Sequence, residues 1–375
     1  MSTTRSSFGW ARSIAAAVLA VLIAPSLLEG QEYIRGIYLS PYTARQEWLL
    51  KKIEQAATRG DLNTIVVDMK DDFGLLRYPS KNPIARSCGA IRPIFDVDSL
   101  IRRMHNHNVR VIARIVCFKD DYACNYSNFA VYHSGGGIWA DEGGAYWLNA
   151  FDERTWSYNI SIARELEELG FDEIQLDYVR FPTDGDVLSC VFYGRKGRLK
   201  EEAIEGFLKM MREGITVPLS VDVFGYAAWR TLKLEGQELS RIAPHVDYIC
   251  PMLYPSHFSP QFLAGEPDRD FWIYYTSVES AYNLMGSSNA RIVTYVQGFS
   301  WRAPRFGPQY IFDQMLGSLA AGSDGFFIWN AAGKYLPAFE ALSWGGSSLR
   351  VRDVPSLPEI HTRSRPRPTL SEALW

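Results

Sequence analysis

Strand-like and helix-like stretches take turns along this chain with a regular beat, and that alternation limits the folds open to it. The strands read as Arg35–Leu39, Thr64–Asp68, Arg110–Val116, Glu173–Asp177, Leu219–Asp222, Tyr248–Met252, Ile292–Val296 and Gly325–Trp329, short apolar runs bounded by turn residues. Helical periodicity separates them near Arg45–Thr58, Asp98–Asn106, Thr155–Leu169, Leu199–Glu213, Gln237–Ala243, Asp270–Leu284 and Pro308–Ala320, and a shorter helix follows at Tyr335–Leu342. Strands alternating with helices predict a parallel sheet with the helices outside it. Eight such units predict closure into a (β/α)8 TIM barrel of the α/β class. A doubly wound open sheet, built from the same units, is the structural alternative. Gly60, Gly170 and Gly322 each end a helical run shortly before a strand, where a C-cap glycine belongs, and Asn108 takes that part before the third strand.

With 375 residues, 47% of them hydrophobic, the chain suffices for one such barrel, which typically takes about 250. Residues 1–30 read as a signal peptide. Arg5 and Arg12 precede or open the apolar run Ile14–Leu28, which is short for a span of about 20 residues. Cleavage is expected between Ala24 and Gln31; left uncleaved, the segment would anchor the protein. Residues 31–345 form the single barrel domain, and 346–375 a flexible tail rich in Pro, Ser and Arg. The expected location is therefore secreted or periplasmic, without stable membrane association once the leader is gone. A formal net charge of -3 gives no argument for nucleic acid. Cys117 and Cys250 fall in strand-like runs and read as buried thiols. Cys88, Cys124 and Cys190 fall in loops, where export would let two of them pair, Cys88 with Cys124 by preference. No Cys or His spacing suits a metal: His105 and His107 are two residues apart on one helix and face different ways.

The segment Phe171-Asp-Glu-Ile-Gln-Leu-Asp-Tyr-Val-Arg-Phe-Pro182 is the most informative about chemistry. Ile174, Leu176 and Tyr178 share one face of its strand, and Glu173, Gln175 and Asp177 the other. So polar a second face does not line an ordinary apolar core. It fits a barrel strand that carries Asp177 to the C-terminal mouth, where barrel enzymes keep their reactive groups. Asp68 ends the second strand and Asp222 the fifth. Tyr254, Gln297 and Trp329 follow or end the sixth, seventh and eighth. The two longest loops, Cys117–Arg154 and Tyr178–Arg198, also open on that face. Eleven Trp and twenty Tyr supply flat apolar faces of the kind that receive sugar rings.

Carboxylates converging on an aromatic mouth are what glycosidic cleavage requires: one protonates the leaving oxygen, another attacks the sugar or activates water. No Glu ends a strand here, so the pair is assigned to two Asp. Asp177 is the expected nucleophile. Asp222 is the expected acid/base, its pKa raised by its negative neighbour. Asp72, Glu142 and Asp184 stand in reserve for the acid. Asp68, Lys70, Arg114, Arg180, Tyr254, Gln297 and Trp329 are expected to bind substrate, although Arg114 is equally suited to pairing with Asp68 or Asp177. No metal and no organic cofactor is called for. Asn125-Tyr-Ser127 and Asn159-Ile-Ser161 match the short glycosylation acceptor pattern.

Five segments carry a resemblance. They are Gly36-Ile-Tyr-Leu-Ser, Asn63-Thr-Ile-Val-Val-Asp-Met-Lys-Asp-Asp-Phe-Gly74, Phe171 to Pro182, Ser220-Val-Asp-Val-Phe-Gly225 and Tyr248-Ile-Cys-Pro-Met-Leu-Tyr-Pro255. From about Tyr33 to Leu342 the chain resembles the bacterial putative glycosyl hydrolase domain family. The resemblance implies a (β/α)8 barrel related to glycoside hydrolases, some of which use a fourth-strand Asp as nucleophile. It supplies no substrate, and fold analogy alone does not establish function. The Asp-x-x-Asp-x-Asp-x-Glu signature of family-18 chitinases is not met, since Val179 stands where that pattern has Glu. The expectation is an exported glycoside hydrolase acting on a polysaccharide or oligosaccharide. The rival is a non-catalytic carbohydrate-binding barrel in envelope or exopolysaccharide processing. A transglycosylase or lyase on the same barrel is a weaker third.

Overall fold

The computed structural model describes residues 33–126 and 128–345. The segments read as leader and tail, 1–30 and 346–375, lie outside them, as does Ser127 of the first acceptor pattern. Eight strands run parallel: β1 Ile34–Leu39, β2 Thr64–Lys70, β3 Arg110–Val116, β4 Glu173–Asp177, β5 Leu219–Phe224, β6 Tyr248–Met252, β7 Arg291–Gln297 and β8 Gly325–Trp329. They pair in chain order, and β8 pairs with β1 to close the barrel, which excludes the open sheet. Around it stand α1 Glu47–Thr58, α2 Val97–His105, α3 Glu153–Glu168, α4 Lys200–Gly214, α5 Leu239–Ile242, α6 Arg269–Met285, α7 Pro308–Ala320 and α8 Leu336–Gly345. Most of these bounds follow local chemistry. Asp96 and Asp152 cap α2 and α3 by accepting backbone N–H bonds. Asn108 and Gly170 take left-handed φ values of 55° and 92° where the chain turns into β3 and β4. Arg45 falls in a 3-10 turn ahead of α1 rather than in the helix itself.

Strand alternation sorts the apolar side chains into two cores. Ile174, Leu176, Val221 and Ile249 face outward and join the helices in the larger one. Ile34, Val66, Ile112, Val293 and Phe327 fill the barrel interior, each worth roughly 1.5–3 kcal/mol when fully buried. Gly36 makes room for this packing: a methyl there would meet Phe327 Cδ1 at 2.5 Å. Glu173 lies in the interior, paired with Arg110 at 2.7 Å and accepting from the Ser220 hydroxyl. Burial still pushes its carboxyl up to about 7, against the opposing charge of Arg110.

The two long loops are tied together. Tyr132–His133 and Cys190–Val191 form a small antiparallel ladder between them. Trp139 donates its indole N–H to the carbonyl of Asp186 at 2.8 Å, and Asn149 donates to that of Tyr193 at 2.8 Å. The loops therefore act as one cover over the β3–β4 side of the mouth. All five cysteines are free thiols, so the expected Cys88–Cys124 bridge is not formed. Asn159 of the second acceptor pattern is fully buried in α3 and bonded to the Cys117 carbonyl, which removes it as a glycan attachment point.

Candidate active site

The inward positions at the C-terminal ends of the strands form one ring of polar and aromatic side chains. Strand register explains their company. Asp68 of β2 lies opposite Arg114 of β3. Gln175 and Leu176 of β4 lie opposite Ser220 and Val221 of β5, so one residue further on Asp177 and Asp222 come side by side. Arg114 is the hub. Its Nη1 donates to Asp68 Oδ1 and its Nη2 to Asp177 Oδ2. Its Nε donates to the same Asp177 oxygen at 3.2 Å and lies 3.9 Å from Asp222 Oδ2. Tyr38 donates its hydroxyl to Asp68 Oδ2 at 2.5 Å and stacks on Trp329 with ring centroids 3.7 Å apart. The guanidinium of Arg114 lies 5.1 Å from the Trp329 ring centre, within cation–π range.

These groups have different electrostatic settings. Burial pushes Asp68 up to about 6, although Arg114 and the Tyr38 hydroxyl both favour its anion. Burial opposes the charge on Arg114, but Asp68 and Asp177 outweigh it and hold the guanidinium well above its ordinary value. Asp222 is 1% exposed, and neither carboxyl oxygen has a hydrogen-bond partner among the described residues. Burial, then the negative charge of Asp177, raise it well above the ordinary carboxyl range, with Arg114 only partly opposing them. Asp177 by contrast accepts two N–H bonds from Arg114 and one from the backbone of Tyr178. Two adjacent carboxyls thus occupy unlike surroundings, one hydrogen-bonded to a cation and one bare. Tyr178 holds a left-handed φ of 52° directly after Asp177. A bulky residue there is strained, and such strain gathers at functional positions.

Of the residues read from the sequence, Asp68, Arg114, Asp177, Asp222, Tyr254 and Trp329 come together. Tyr254 is nearly buried, and its hydroxyl is pushed up by burial and by the charges of Asp222 and Asp177. Lys70 does not join them. A register irregularity between Asp68 and Lys70 accompanies its departure; it is fully buried, paired with Asp120 at 2.8 Å and donating to Asn159 and the Val116 carbonyl. Gln297 is likewise withdrawn. Its amide donates to the carbonyls of Phe299 and Trp301 and its oxygen accepts from the Ser256 N–H, so it fixes the β6 and β7 loops. Arg180 sits beside the ring, among Trp147, Tyr178 and Phe224. The sequence reading missed Tyr38, and it missed Tyr295, which donates its hydroxyl to Gln175. The parity of Gly36 and Tyr38 on β1 was the signal for the first. Around the ring, Tyr42, Phe73, Tyr193 and Trp301 stand more than half exposed on loops. A surface hollow of about 670 Å³, lined by Tyr132, Arg154, Tyr193 and Arg198, does not include Asp177 or Asp222.

The comparisons with known proteins concern the fold and the family. No curated protein matches the chain. Among solved structures, the PgaB (BpsB) glycoside hydrolase domain from Bordetella bronchiseptica is 11% identical, with a TM-score of 0.61 over 83% of this chain and 98% of that one. An alpha-galactosidase from Thermus thermophilus is 14% identical, with a TM-score of 0.50 over 83% of this chain and 60% of that one. At these identities the likeness concerns the fold. A hypothetical protein from Ruminiclostridium thermocellum is 39% identical over 50% of this chain and 97% of its own, with a TM-score of 0.47. Residues 36–335 match the family described as "Putative glycosyl hydrolase domain", from the first interior glycine of β1 to the turn before α8. By that match over most of its length, this chain belongs to the putative glycosyl hydrolase domain family.

Proposed function

We propose that this protein is an exported glycoside hydrolase that cuts a polysaccharide or oligosaccharide through Asp177 and Asp222. The observation that carries the reading is the unlike pair: an Arg114-bound Asp177 beside a buried Asp222 without hydrogen-bond partners, its pKa raised. A carboxyl without hydrogen-bond partners beside one bound by a cation can divide the roles of acid and nucleophile. Asp177 attacks the anomeric carbon while Asp222 gives its proton to the leaving oxygen. Asp222 then takes a proton from water as the glycosyl ester is hydrolysed, and both groups return to their starting states. Oxygens of both approach Arg114 Nε, at 3.2 Å and 3.9 Å, which limits their gap to about 7 Å. A retaining double displacement, at about 5–5.5 Å, fits inside that limit, and most of the inverting range, about 6.5–9.5 Å, does not. Asp68 and Tyr38 steady Arg114 and the Trp329 platform.

The test is a polysaccharide panel with the wild type, Asp177→Asn and Asp222→Asn side by side. New reducing ends from one polymer, lost by about 10² or more in both variants with folding intact, are expected. Full activity in Asp177→Asn removes the assignment. A second reading, a carbohydrate-binding barrel without catalysis, is favoured by one observation: the reactive carboxyls lie deep, Asp177 only 6% exposed. Glycan binding that survives Asp177→Asn, with no product from any bound polymer, would establish it.

A further inference from the structure

Between the two candidate catalytic strands stands a cation that the chemistry above does not use. Arg180 lies three residues after Asp177, and Phe224 two after Asp222. The Arg180 guanidinium is 4.6 Å from the Phe224 ring centre, 4.7 Å from Trp147 and 5.0 Å from Tyr178. Its Nη1 alone is engaged, with the Phe181 carbonyl at 3.2 Å and the Thr183 hydroxyl at 3.5 Å. Among the described residues no carboxylate forms an ion pair with it, although Arg59, Arg77, Arg103, Arg110 and Arg114 all have one. Burial accordingly depresses its guanidinium below the ordinary value. Lys119, also near the Tyr178 ring, already has an anion, with Asp141 3.7 Å away. A half-buried guanidinium that keeps Nε and Nη2 free, walled by aromatic rings, is built to receive a planar or tetrahedral anion on a ring-shaped ligand. Its place near Asp177 and against Phe224 puts that anion on a sugar unit next to the bond being cut.

We propose that Arg180 recognises an acidic sugar, so that the substrate is an anionic glycan bearing carboxylate or sulfate groups. The proposal rests on the reading of the mouth as a glycan site but not on cleavage. The test measures binding by calorimetry for the full chain with four probes: tetragalacturonate, its carboxyl-reduced neutral counterpart, a sulfated galactose tetramer and a glucosamine tetramer. Release of new reducing ends from the corresponding polymers is followed separately. We expect one anionic tetramer to bind about ten-fold or more tighter than the neutral one; which one identifies the charged group. Arg180→Gln should erase that preference, and Arg180→Lys should restore part of it through charge alone. Arg180→Met, which keeps the stem against the rings, controls for packing, and a thermal melt checks each fold. Equal binding of anionic and neutral tetramers, no binding of either anion, preference for the glucosamine tetramer, or a preference that persists in Arg180→Gln overturns the proposal. Anion-selective binding without any product would retain it and remove the hydrolase reading; cleavage of a neutral polymer alone would do the reverse.

Discussion

Arg114 shows how one side chain can organise a site. It is almost fully buried, yet its charge is shared between Asp68 and Asp177, with Asp222 just beyond contact. Removing one partner of a buried pair leaves an uncompensated charge, at a cost of about 3–5 kcal/mol. Arg114→Gln should therefore lower unfolding stability by that order in denaturant titration; a change within about 0.5 kcal/mol would show that the carboxyls are not held by it. Asp222 leads to the opposite expectation. Its folded pKa lies above the unfolded value of about 3.9, so the native state binds a proton that the unfolded chain releases. That contribution is full below the unfolded value and drains away as pH rises through the folded one. Asp222→Asn keeps the shape without the titration. Its unfolding free energy should gain on that of the wild type as pH rises, by an amount on the order of 1–3 kcal/mol, while activity is lost. A stability advantage that is the same at pH 4 and pH 8 would refute this.

At the scale of elements, reading strand ends picked out most of the residues that come together at the mouth, because a parallel strand delivers its last inward residue to the same face every time. Asp177 and Trp329 were legible that way. Lys70 was not, because the register irregularity that takes it out of the mouth depends on how β2 pairs with β3. It instead pins β2 to α3 and to the loop after β3 through Asp120, Asn159 and two carbonyls. Lys70→Met should cost about 3–5 kcal/mol, and the double change with Asp120→Leu should recover part of it. Additive losses in chemical denaturation would contradict that coupling. Gln297 was misread for a related reason. A glutamine at a strand end serves substrate or loop equally well, and only the contacts with Ser256, Phe299 and Trp301 decide between them.

For the whole molecule, the remaining prediction concerns the segment proposed as a leader. Protein recovered from outside the cytoplasm should begin between Ala24 and Gln31 by N-terminal sequencing, and a chain still carrying Met1 would indicate an anchor. The sequence by itself determined the eight-unit order, the interior parity of β4 and the positions of several helix ends, since each depends on local periodicity and capping. Closure of β8 onto β1 came from the unit count, and the ring order confirmed it. Only the tertiary structure decided which polar residues share a site. Asp68, Arg114, Asp177 and Asp222 lie on four different strands, and their ion pairing depends on register and burial rather than on spacing. The same is true of the bare Asp222: a missing hydrogen bond is a property of the surroundings, and those are assembled from segments far apart in the chain.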